Sequence, residues 1–190
     1  IMTSATWQMA SSHSNEKAHL ADPANRLLWK FNRKRIGFEG LRDSLVAVTG
    51  QLDSKLGGPP VNVLSGFNNR RSIYGHINRM DVDPTLRAFD FPDPNITCAR
   101  REATTVASQA LFLMNNSFTI ESAKRILQRK DLPADTVVRI SKLYQFLFSR
   151  LPHDDELKLA KKFLGENPAA AHWENFVQAL LLTNEFTFID

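Results

Sequence analysis

A single cysteine, Cys98, in 190 residues rules out an intrachain disulfide; a lone thiol fits either a reducing compartment or a disulfide-free exported protein. Two Tyr and three Trp stand against thirteen Phe, so most of the aromatic surface carries no polar handle. That balance suits a packed core better than a stacking platform for sugars or bases. No apolar run is long enough for a transmembrane segment, and Ile1-Met2-Thr3-Ser4 has neither a basic n-region nor an apolar h-region. A Gly-x-x-x-x-Gly-Lys phosphate loop, a Gly-x-Ser-x-Gly elbow, a Cys-x-x-Cys pair and a Cys-x-x-Cys-His haem attachment are all missing. The five histidines (His13, His19, His76, His153, His172) are scattered without ligand spacing. No metal and no cofactor is expected in this fragment, which opens on Ile1 and is expected to be cut from a longer protein.

The formal net charge of +4 lies wholly in residues 1–102, where 14 Lys/Arg face 10 Asp/Glu. It gathers at Arg33-Lys34-Arg35, Arg70-Arg71 and Arg100-Arg101. These arginines either form an anion-binding face or pair internally with Asp81, Asp83, Asp90 and Asp93. The excess is too small for the footprint of a nucleic-acid binder, so no nucleic-acid partner is expected.

Residues 1–21, polar after Trp7 and Met9, are assigned as a mobile lead-in to a single helical domain over 22–190. Asp22-Pro23 predicts a helix start. Apolar residues at spacings of three and four (Leu27, Leu28, Phe31, then Phe38, Leu41, Leu45, Val48) predict two helices, the second stopped by Gly50. The periodicity then fails from about 51 to 105. There Gly57-Gly58-Pro59-Pro60 marks a turn, Arg71 to Ile77 alternates as a short strand would, and Asp83-Pro84 opens a helical turn. Helices follow, capped by Thr104 or Thr105 and by Ser117, the first with Leu111 and Met114 on one face. Stripes at Val137 to Leu147, Leu157 to Leu164 and Trp173 to Leu181 predict three more. The expected class is mainly α, with a long irregular or short-β segment in the middle.

That middle segment holds the candidate centre: Arg70, Arg71, Tyr74, His76, Asp90, Asp93, Asn95, Cys98, Arg100 and Arg101. Pro92 and Pro94 stiffen it. Asp90, Asp93 and Asn95 are oxygen ligands that a hard cation can use, a carboxylate pair for acid/base work, or turn formers bonded to their own backbone. His76 is a hydrogen-bonded structural or surface residue or a metal ligand. Cys98, beside Arg100 and Arg101, is either a small buried hydrophobe or a reactive thiolate. Asn95-Ile96-Thr97 matches a glycosylation acceptor.

Several ordered signatures resemble the planctomycete PSD family, a domain of unknown function. They include Asn25-Arg26-Leu27-Leu28-Trp29, Leu41-Arg42-Asp43-Ser44-Leu45, Arg70-Arg71-Ser72-Ile73-Tyr74, Phe89-Asp90-Phe91-Pro92-Asp93-Pro94-Asn95, Cys98 to Arg101, Gln109-Ala110-Leu111 and Asn184-Glu185-Phe186. Ala107 stands where proline is expected, and Asn116-Ser117 where Ser-Pro is usual. The resemblance implies an extracytoplasmic setting (periplasmic or secreted), companion N-terminal domains in the parent protein and often a cytochrome-c-like domain elsewhere in it. It implies no catalytic residue. Two function classes follow: a non-catalytic binding or assembly module recognising an anionic or carbohydrate ligand, or the half-site of an extracytoplasmic enzyme, redox or polysaccharide-degrading, completed by an N-terminal domain.

Overall fold

Local sequence divides the chain into stretches that bury a helical stripe and stretches that cannot. The computed structural model describes residues 2–189. They are mainly α, 45% helical, with one two-stranded sheet, and fall into two compact units.

The first unit runs through Ile36 and takes in Phe188 and Ile189. Helix α1 (Glu16–Ala21) starts at Asn15, whose side chain accepts from the Ala18 N–H, and buries no residue. It lies inside the stretch assigned as the lead-in. The helix expected from Asp22 does not form. Asp22 ends α1 instead, and its carboxylate accepts from the Arg26 and Leu27 N–H groups at 3.0 and 2.7 Å. A side chain that satisfies backbone donors in a turn competes with the helix. Asn25 (φ 52°) and Leu28 (φ 56°) are then left-handed, a conformation an α-helix does not contain. Buried Asn25 closes the loop, its amide donating to the Lys30 carbonyl and Asn32 Oδ1. Strand β1 (Lys34–Arg35) pairs antiparallel with β2 (Phe188–Ile189), Lys34 opposite Ile189.

The second unit is Gly37–Thr187. Its first helix, α2 (Phe38–Val48), buries Phe38, Leu41, Arg42, Leu45 and Val46 on one face. Thr49 donates its hydroxyl back to the Val46 carbonyl (2.6 Å), and Gly50 (φ 75°) takes the left-handed turn that ends the helix. Between 51 and 105 the only α-helix among the described residues is α3 (Pro84–Ala88), capped by Asp83 through the Thr85 N–H at 2.7 Å.

The strand expected over 71–77 is replaced by a 3-10 turn, Ser72–Tyr74, flanked by isolated parallel bridges pairing Asp53 with Arg70 and Val61 with Gly75. At Gly75 a Cβ would stand 2.9 Å from the Ser72 carbonyl oxygen and from the Val63 side chain. Any larger residue there would force the turn or the Val63 side chain to shift.

The remaining helices are α4 (Ala107–Asn115), α5 (Ser117–Leu127), α6 (Thr136–Phe148), α7 (Asp154–Leu164), α8 (Ala170–Leu181) and α9 (Asn184–Thr187). Helix α5 lies against α2 and α8, and α8 against α7. Leu45, Ile126, Ile140, Leu143, Val177 and Leu181 are fully enclosed. Two sequence expectations fail here. The cap of α4 is Val106, whose N–H meets Gln109 Oε1, because Thr104 is engaged elsewhere. Asn116, one residue before Ser117, caps α5 through the Phe118 N–H. The face of α4 that carries Leu111 and Met114 is exposed, and the helix buries Gln109 and Leu113.

Candidate functional site

The irregular segment is held by side chains reaching into it from α2. Arg42, 2% exposed, donates Nε to the Val63 carbonyl (3.0 Å), Nη1 to the Arg70 carbonyl (2.8 Å) and Nη2 to the Asn68 carbonyl. Its neighbour Asp43 accepts from the Ser72 N–H and hydroxyl, both at 2.7 Å. A loop with little secondary structure must find donors for its buried carbonyls elsewhere, and a single guanidinium fork supplies three. Burial pulls the Arg42 pKa below its ordinary value, opposed by Asp43.

One arginine of each basic pair is also a tie, though not to the carboxylates the sequence suggested. Arg70 bonds the Asp53 carboxylate (3.3 Å), the Lys55 carbonyl (2.8 Å) and the Gly57 carbonyl, with its guanidinium 4.2 Å from the centre of the Tyr74 ring. The Tyr74 hydroxyl accepts from the Gly57 N–H. The Lys55 N–H first, and then Arg70, hold the Asp53 carboxyl below the ordinary range. Arg101 clasps Glu39 with two 2.9 Å bonds. Burial alone would raise the Glu39 carboxyl, but hydrogen bonds from Arg101 and the backbone bring it below its usual value. Arg71 and Arg100 are exposed.

The aspartates serve the backbone. Asp90, at φ 57°, accepts from the Thr104 N–H and hydroxyl, both at 2.8 Å. Asp93 accepts from the Asn95 N–H (2.9 Å), and Asn95 donates its amide to the Arg79 carbonyl (3.1 Å). Cys98 is exposed, which overturns the buried-hydrophobe expectation: no helix or strand covers it, and its thiol donates to the Arg100 carbonyl (3.2 Å).

Two clefts open on the segment. One, of about 220 Å³, is lined by His76 with Asn62, Asn78, Asp81 and Asp83; the other, of about 390 Å³, by Arg79, Arg87, Phe91, Asp93 and Asn95. His76 and Asp93 thus face different clefts, and Asp90, Cys98, Arg70 and Arg101 line neither. Among the described residues no three His, Cys, Asp or Glu side chains gather as a metal ion needs, and no helix is long and apolar enough to cross a membrane.

The sequence family whose model is described as "Protein of unknown function (DUF1553)", PSD1, matches residues 1–164. The chain belongs to the PSD1 family. No curated protein and no solved structure matches this PSD1 chain.

Two sets of organising residues in the PSD1 chain escape a reading of the sequence for chemistry. Arg42 sits four residues after Phe38 and three before Leu45, on the buried stripe of α2. A charge on an apolar stripe was the signal that could have found it. Arg150, just past α6, makes four bonds of 2.6–2.8 Å to Glu156 and Glu185. Its partners lie 6 and 35 residues away, and only the nearer pairing is suggested by local sequence.

Proposed function

We propose that this PSD1 chain is a non-catalytic binding or assembly module, and that its irregular segment offers an anionic or carbohydrate ligand the cleft of Arg79, Arg87, Phe91, Asp93 and Asn95. The observation that carries this reading is the division of labour among the charged groups. Arg42, Arg70 and Arg101 tie the loops together, whereas Arg87 is exposed in an open cleft beside half-buried Phe91, and Arg79, exposed in the same cleft, gives one Nη2 bond to the Pro94 carbonyl (3.0 Å). Cationic forks beside an aromatic ring and an amide suit a carboxylated or sulfated sugar.

The rival, an enzyme half-site, needs a general acid and base within reach of one substrate atom. The support runs against it, since Asp90 and Asp93 are engaged by backbone donors and His76 faces another cleft. Part of the proposal is a setting outside the cytoplasm, beside N-terminal domains of the parent protein and, in some planctomycete relatives, a cytochrome-c-like domain.

Titration of heparin oligosaccharides and polygalacturonate fragments against the wild type, Arg79→Ala and Arg87→Ala tests the cleft. Binding that weakens in both variants and at higher salt, with unchanged melting of Arg87→Ala, supports it. Equal affinity in all three proteins sinks it.

A further inference from the structure

Partly buried arginines in the second unit come with an anion: Arg42 with Asp43, Arg70 with Asp53, Arg125 with Glu121, Arg129 with Asp131, Arg150 with Glu156 and Glu185. Arg139, on α6, is the exception. Its Nε is enclosed and meets no acceptor, and among the described residues no carboxylate reaches ion-pair distance of it. Its guanidinium lies 4.5 Å from the centre of the buried Trp173 ring of α8. Arg139 also lines a groove of about 480 Å³, together with Lys124 and Leu127 of α5 and with Pro168.

We infer that this groove binds a small organic carboxylate, with the Arg139 fork as the anion receptor and Lys124 as a second cation. A guanidinium cannot shed its charge, so the partial desolvation at its enclosed Nε is offset by an anion bound beside it. Burial also holds its pKa below the ordinary value, with no neighbouring charge opposing it. A planar fork fixed against an indole matches a planar carboxylate with two parallel bonds, more closely than it matches a point acceptor. Leu127 and Pro168 give the wall an apolar part, so the acid is expected to carry an apolar body, and the volume suits a ligand of that size. Glu174 lines the same groove without pairing with Arg139, and as a like charge it weakens the ligand. This site goes beyond the preceding reading and does not rest on it, because it lies on the helices rather than on the irregular segment.

Calorimetric titration of the whole chain with phenylacetate and with its neutral isostere phenylacetamide tests the inference. The acid is expected to bind about tenfold tighter than the amide, the difference a charge-assisted bidentate pair contributes. Arg139→Gln should bring the acid down to the level of the amide, and Glu174→Gln should tighten it a few-fold by removing the opposing charge. Equal binding of acid and amide by the wild type overturns the proposal, as does no binding of either. So does a double-mutant cycle on melting in which Arg139→Gln and Glu174→Gln are strongly coupled, because Arg139 would then have an internal partner. If Arg139→Gln fails to fold, the wild-type comparison of acid with amide still decides. Arg79→Ala and Arg87→Ala should leave these titrations unchanged, so failure here is separable from failure of the sugar cleft.

Discussion

Arg42 and Asp43 are adjacent on α2 yet grip the same turn from two sides: Arg42 Nη1 donates to the Ser72 hydroxyl at 3.3 Å, and Asp43 accepts from the Ser72 N–H at 2.7 Å. The pair converts one helix into the anchor of loop groups that lie 21 to 30 residues later. Removing the guanidinium leaves the Val63, Asn68 and Arg70 carbonyls without their donor inside the protein. Arg42→Ala is therefore expected to destabilise the fold by about 3–5 kcal/mol in urea unfolding. Arg42→Lys should restore only a minor part, since one ammonium cannot span the directions of three carbonyls. An Arg42→Ala protein within about 1 kcal/mol of wild type would show that the loop holds itself.

How much was legible follows from where the hydrogen bonds go. Helix α8 was readable because Trp173, Phe176, Val177, Leu180 and Leu181 form one buried stripe, and the same holds for most of α2. The segment 51–105 was readable as irregular, and α3 was readable through its Asp-Pro cap, but the shape of the loop was not. Its order depends on Arg42, Asp43 and Glu39, which lie outside it in sequence and whose pairings no local pattern encodes. Helix α4 misled for a related reason. Gln109 is 1% exposed because it donates to the Ala88 carbonyl while accepting from the Val106 N–H, so a polar residue takes the buried face of α4 while Leu111 and Met114 stay exposed. Of the ten candidate-site residues, Asp93 and Asn95 share one cleft and His76 lines another. Proximity in sequence did not become convergence in space.

Acid should weaken the Arg150–Glu156 pair. Its hydrogen bonds hold the Glu156 carboxyl at about 2, with burial opposing and the His153 N–H assisting. A carboxyl depressed in the folded state contributes stability that is complete above its unfolded pKa near 4.3 and is lost as pH falls toward the folded value. The contribution, on the order of 2 kcal/mol after allowance for partial solvent exposure, should disappear between about pH 5 and pH 2. Melting temperatures across that window should fall steeply for wild type and much less for Glu156→Gln. Parallel curves for the two proteins would place the acid sensitivity elsewhere.

The thiol gives a direct check on the placement of 98–105. Cys98 is exposed, its thiol donating to the Arg100 carbonyl. A thiol reagent should label it in the native protein within a few-fold of the rate in urea. Labelling slowed by orders of magnitude in the native state would mean that the segment is covered.

Asp90 sets two effects against each other. It is a non-glycine residue at φ 57°, a conformation that costs about 1 kcal/mol for most side chains and less for Asp and Asn. In return its carboxylate fixes the approach to α4, because Thr104 donates both its N–H and its hydroxyl to it. Asp90→Ala loses the bonds and keeps the strain, so it should destabilise by about 2 kcal/mol. Asp90→Gly loses the bonds but relieves the strain, and should cost about 1 kcal/mol. Asp90→Asn keeps an acceptor and tolerates the conformation, so it should be the mildest of the three. Thr104→Val removes only the hydroxyl donor and should fall near Asp90→Asn. Chemical unfolding of the four variants gives the order. If glycine proves more damaging than alanine, the backbone strain is not what Asp90 accommodates; if alanine is harmless, the tie to Thr104 contributes nothing to holding the segment against α4.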